Sequence, residues 1–168
     1  MGGCGGHRHQ LGTSHYFYGM LHIQFPEPSF RLRPGPQGQQ QVWDICRRRW
    51  VLLTPEEWVR QHWLLWLVQV AQVPAALIAV EKQLPVGDRW RRFDIVVYTR
   101  QGQPWLLAEC KAMEVALSEA VLQQALAYRS SLPAGLLLIS NGRQHLAWQV
   151  AGGQALALQQ LPVYGEGE

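Results

Sequence analysis

Asp94, Glu109 and Lys111 are the residues of this chain whose types and spacing could do chemistry together. Two apolar runs of strand length, Phe93 to Tyr98 and Trp105 to Ala108, flank a turn containing Gly102. That pattern predicts a hairpin. Asp94 interrupts the first run, and Glu109 and Lys111 close the second. Side chains alternate along a strand, so Glu109 and Lys111 share one face while Cys110 points to the other. If the hairpin sets Asp94 near the end of its partner strand, two carboxylates and an ammonium converge at one edge. Carboxylates placed so can hold a divalent cation through oxygen. Such a cation activates water and offsets charge that develops on a phosphodiester.

The spacing resembles the PD-(D/E)xK nuclease superfamily. Asp94 takes the first acidic position, Glu109-Cys110-Lys111 takes the (D/E)xK, and Phe93 stands where that pattern has proline. The wider wording, Arg92 to Tyr98 and then Leu106 to Ala112, resembles the N-terminal nuclease domain of type I restriction enzyme R subunits, in its small stand-alone form. The resemblance covers about residues 20 to 150. It implies an αβββαβ core, a Mg²⁺- or Mn²⁺-dependent DNA endonuclease, and DNA as partner. It also implies a first-helix glutamate among the metal ligands. Gln124 and Tyr128 resemble the Gln-x-x-x-Tyr motif of RecB-type nucleases, one helical turn apart, and are expected to touch DNA. The chain has no Walker-type Gly-rich loop, so a motor or specificity protein would be a separate partner.

The elements that must position these residues can be read around them. Leu21 to Leu32 and Gln41 to Leu53 read as an N-terminal strand pair joined by the Pro-Gly loop at 34 to 38. Arg47, Arg48 and Arg49 form a basic run, either a solvated edge or a phosphate contact. Thr54 and Pro55 open a helix, Thr54 as N-cap and Pro55 at the first helical position. Glu57 can close a capping box with Thr54. Glu56 heads the stripe through Val59, Trp63, Trp66 and Val70, so it is taken as the first-helix ligand, with Glu57 as the alternative. Favourable charge at a helix N-terminus serves for either.

After Pro74 a strand begins at Leu77, and Glu81 on it either approaches Asp94 or pairs with Lys82 or Arg92. Arg91 and Arg92 beside Trp90 offer a nucleic-acid surface, or an ordinary strand entrance. A second helix starts at Ser118. Gly135 to Ser140 is a buried-type strand, and Asn141-Gly142 reads as a two-residue hairpin turn before a strand from Arg143 to Val150. Ala155 to Leu158 adds an edge strand. The fold class is therefore α/β, or α+β by stricter criteria: a mixed sheet flanked by helices.

The chain has 168 residues, 48% hydrophobic and 16% charged, with net charge +3. That supports one cored domain over 20–161 and suits a polyanionic partner. Residues 1–19 read as a disordered leader before a natural start at Met20, although Cys4, His7 and His9 are metal-ligand types; 162–168 reads as a frayed tail. Three widely spaced cysteines predict reduced thiols and a cytoplasmic setting. No run reaches membrane-span length, and no apolar signal core is present. The competing classes are an active endonuclease, a catalytically silent DNA-binding module on the same fold, and an assembly protein.

Overall fold

A computed structural model of the chain describes residues 20–127 and 129–166. Three short strands come first: β1 (Leu32–Pro34), β2 (Gln40–Asp44) and β3 (Arg49–Leu52), an antiparallel sheet in that order. This corrects the expected strand pair. Before β1 the chain between Met20 and Leu32 has no ladder, and it carries Pro26 and Pro28, which cannot donate to one. The 41–53 span folds back on itself because the Asp44 carboxylate accepts from the backbone N–H groups of Cys46 (2.9 Å) and Arg47 (2.6 Å). Such an Asx turn bends the chain where a longer strand would run straight.

Helix α1 (Pro55–Gln69) follows. Thr54 caps it as expected, its Oγ1 accepting from Glu57 N at 3.0 Å. The capping box is half formed: Thr54 N donates to Leu52 O, and the Glu57 carboxylate is engaged elsewhere. Val59, Trp63, Leu64 and Leu67 are fully buried, while Val70, placed on the stripe by its spacing, is exposed. Burying one such large apolar side chain is worth about 1.5–3 kcal/mol.

The main sheet has six strands: β4 (Ile78–Val86), β5 (Arg89–Tyr98), β6 (Pro104–Cys110), β7 (Leu136–Ser140), β8 (His145–Ala151) and β9 (Gln154–Leu158). All neighbours are antiparallel except β6 and β7, which run parallel and are connected through helix α2 (Glu119–Leu126). A parallel pair needs such a crossover. The order α1, β4, β5, β6, α2, β7 is the αβββαβ succession expected, in a mixed α+β fold. One face of the sheet packs Ile95, Val97, Leu106, Ala108 and Leu138 against α1. The other packs Val96, Leu107, Leu137 and Ile139 with Leu126 and Leu132. Among the described residues no helix is long and apolar enough to cross a membrane.

One loop differs from the sequence reading. The β7–β8 connection has four residues, since Ser140 pairs with His145. The Asn141 side chain accepts from Arg143 N and Gln144 N, which widens the turn beyond Asn-Gly. Gly142 (φ 84°) passes α1 so closely that a Cβ would meet Val59 Cγ2 at 3.1 Å. Leu161 is buried, and Tyr164 packs on Trp105 and donates to Tyr98 O at 2.8 Å.

His145 is buried edge-on against Phe25 and Trp63, with Nδ1 2.7 Å from Ser140 Oγ. Burial lowers its pKa to about 4 from 6.5. The folded state therefore resists protonation that the unfolded chain accepts. Stability is complete above about 6.5 and declines as pH falls toward about 4. His145→Phe is expected to flatten that segment of the stability–pH curve in urea titrations; an unchanged slope would contradict this.

Candidate active site

The strand register brings the predicted residues together. Ile95 pairs with Ala108, so the next step along both strands sets Asp94 opposite Glu109. There the ladder gives way to a side chain: Asp94 Oδ2 accepts from Cys110 N at 2.7 Å. Lys111 lies one residue past the end of β6, held by its N–H to Ser140 O at 2.8 Å. Asn141 Nδ2 donates to Val115 O and steadies the loop that follows. Cys110 turns into the core under α1, as alternation requires.

On the other side of β5, Val80 pairs with Ile95 and Lys82 with Phe93, which sets Glu81 across from Asp94. Ile78 and Val80 pack on the α1 side of the sheet, but Leu84 and Val86 pack on the other. Alternation thus changes phase between them, as it does between Ile95 and Phe93 on β5. Glu81 sits at the change with φ 55°, a left-handed conformation costing about 1–3 kcal/mol for a non-glycine residue. Asp94 is placed where both strands switch faces.

A buried ion network surrounds it. Arg60 on α1 donates to Asp94 Oδ1 (2.9 Å), to Glu57 and to Glu56 (3.2 Å). Arg47 donates to Asp44 (2.8 Å), Glu57 and Glu81 (3.1 Å). Gln61 Nε2 donates to Asp44 and Glu57, each at 2.8 Å. Burial alone would lower the Arg60 pKa, but Glu57 and then Asp94 outweigh it and hold it above the ordinary value. Sequence reasoning missed this network. Only the Glu56/Glu57–Arg60 spacing, four and three residues along one helix, could have signalled part of it.

Of the two first-helix acids, Glu57 is buried and committed to arginines. The Glu56 carboxylate is half-exposed, on Arg60, and its charge reaches Glu109. Glu109 has its pKa raised, first by burial and then by Asp94, while Arg91 and Lys111 pull it back. A carboxyl raised on folding weakens the fold where it is ionised, and the penalty fades as pH falls through its folded pKa. Arg91 approaches Glu109 at 3.6 Å and Arg92 approaches Glu81 at 3.9 Å. Gln124 falls in α2, whereas its side chain and Tyr128 lie outside the described residues, as do Cys4, His7 and His9. Among the described residues, no three His, Cys, Asp or Glu side chains converge as a ready metal cage. Cys46 and Cys110 are free thiols, and burial pushes Cys46 up to about 12 and Cys110 well above its usual value, which disfavours the thiolate in both.

The family described as type I restriction enzyme R protein N terminus has a model that matches residues 55–162. The chain belongs to that family. The matched span runs from α1 through β9 and contains Glu56, Asp94, Glu109, Lys111 and Arg60. The small sheet β1–β3 lies outside it. A role related to restriction nucleases follows from membership. Comparisons with curated proteins and with solved structures return no match.

Proposed function

We propose that this chain is a metal-dependent DNA endonuclease of the type I restriction R-subunit N-terminal kind, working in the cytoplasm. One observation carries the reading: Asp94 stands across the ladder from Glu109, with Lys111 just beyond, inside the span that matches the family. The residues fit a divalent cation of modest demands. Mg²⁺ commonly takes one or two carboxylates and keeps its waters, so Asp94 and Glu109 suffice without a cage. Burial and then the Asp94 charge raise the Glu109 pKa, and a cation shared by the two carboxylates would relieve the second of these.

Mg²⁺ or Mn²⁺, when bound, supplies an activated water and offsets charge on the phosphodiester. Asp94 and Glu109 would hold it, and Glu56 would add its charge from the first turn of α1. Lys111 orients the attacking water and stabilises the charge that grows on the phosphate. Arg60 fixes Asp94 from behind. Arg91 and Arg92, with Gln124 and Tyr128, are the proposed DNA contacts.

Cation binding is tested first without cleavage. Mg²⁺ at about ten times its dissociation constant is expected to add about 1.4 kcal/mol, or about 3–6 °C in the melting midpoint. Asp94→Asn and Glu109→Gln should lose that increment. Supercoiled plasmid with Mg²⁺ should then be nicked by the unmodified protein; the absence of both the increment and the nick would defeat the proposal. A second reading, a catalytically silent DNA-binding or assembly module, draws on the Arg60–Asp94 ion pair, which already neutralises one carboxylate.

A further inference from the structure

We propose that the outer face of the small sheet β1–β3 is a binding platform for single-stranded DNA. The choice of DNA rests on the nuclease reading; the platform itself rests on what this face presents. The face lies outside the family match, so membership assigns it nothing.

Residues 29–53 contain five arginines and a single acidic residue, Asp44. Asp44 is fully buried and bound by Arg47 and Gln61. Among the described residues none of Arg31, Arg33, Arg48 and Arg49 makes a salt bridge to a carboxylate. Alternation sends Val42 and Asp44 inward, so Gln41 and Trp43 face out. The register sets Trp50 across from Trp43 and Arg33 across from Gln41. Trp43 N donates to Arg31 O, which extends the pairing and brings Arg31 onto the same surface.

These side chains form layers. The Arg33 guanidinium lies 4.4 Å over the Trp50 ring, and Arg31 lies 5.2 Å from Trp43 and 5.7 Å from Trp50. Arg33 Nε also donates to Gln41 Oε1 at 2.9 Å. Both arginines are exposed. Indoles beneath them restrict the long side chains, so less freedom is lost when a ligand binds. A flat guanidinium backed by an aromatic ring offers a stacking plane to an unpaired base and N–H groups to its phosphate. A duplex hides its base faces and can use only the charge, so a single strand fits better. Arg31 and Trp43 also wall a mostly apolar cleft of about 170 Å³ with Phe30 and Leu65, room for an unstacked base at the edge of the face. The opposite face of β2 carries Asp44, whose partner Arg47 holds Glu57 and Glu81, so a strand bound here lies one sheet layer from the Asp94 network.

The test is fluorescence anisotropy with a labelled oligo-dT strand of about 20 nucleotides in EDTA, where cleavage plays no part. The Arg31→Gln/Arg33→Gln double variant is expected to bind about tenfold more weakly. It should also reduce the slope of log affinity against log salt by about 1.4, the release expected from two phosphates. Trp50→Leu should weaken binding about tenfold by loss of stacking. Leu156→Ala, at an exposed apolar residue on β9 away from this face, should bind normally. The matching duplex should bind more weakly than the single strand. Absence of binding by the unmodified protein, an undiminished double variant, or equal duplex affinity overturns the platform. Binding without plasmid nicking would defeat the nuclease reading and leave the platform standing; nicking without single-strand binding would do the reverse.

Discussion

Arg60→Met is expected to lower the thermal midpoint by about 6–20 °C at neutral pH. Breaking a buried ion pair by removing one partner costs about 3–5 kcal/mol. In a domain of this size each kcal/mol moves the midpoint by about 2–4 °C. Arg60 is 4% exposed and binds Asp94 and Glu57, both buried. Methionine fills much of the same volume but leaves Asp94, among the described residues, with only the backbone donor from Cys110. Glu57 keeps Arg47 and Gln61, so the loss falls mainly on Asp94. Arg92→Met is the control. Its side chain is 61% exposed and 3.9 Å from Glu81, so its removal should cost under about 1 kcal/mol. Mg²⁺ should restore part of the Arg60→Met deficit, because a cation at Asp94 and Glu109 supplies the missing charge. Equal midpoints for the two variants would mean that the network adds nothing to the fold.

Lys111→Ala is expected to behave in the opposite way. Lys111 follows the last residue of β6 and is only partly buried, so stability should change by less than about 1 kcal/mol. Catalysis should fall by about 10²–10³-fold, the usual loss when one group that stabilises transition-state charge is removed. DNA affinity measured in EDTA should persist. A lysine that only neutralises carboxylates would give the reverse pattern: a lower midpoint and no cleavage to lose.

The sequence carried the hairpin well. A Gly turn between two apolar runs marked the hairpin, but its register shifts by one residue at a bulge between Val97 and Tyr98, and only that shift sets Asp94 opposite Glu109. Thr54 and Pro55 fixed the start of α1 because capping is local chemistry. What it could not carry was long-range. Arg60 meets Asp94, and Arg47 meets Glu81, each across 34 positions, with nothing in the local pattern to join them. The Arg47–Arg49 run read as a basic surface, yet Arg47 folds inward because Asp44, Glu57 and Glu81 await it. The phase change at Glu81 was equally hidden, since a glutamate at φ 55° leaves no compositional mark. The N-terminal strands were overextended because hydrophobic alternation does not report an Asx turn. Burial separates Glu56 from Glu57, and a helical wheel of a helix buried on more than one side does not show that difference.

The central claim is that Asp94, Glu109 and Lys111 cut DNA with a divalent cation. It is tested most directly by incubating supercoiled plasmid and branched DNA with the unmodified and Lys111→Ala proteins in Mg²⁺, Mn²⁺ and EDTA, and measuring initial nicking rates. The expected result is cleavage by the unmodified protein in either metal, none in EDTA, and a rate lower by about 10²–10³-fold for Lys111→Ala. Intact DNA in every metal condition, or equal rates for the two proteins, would contradict it.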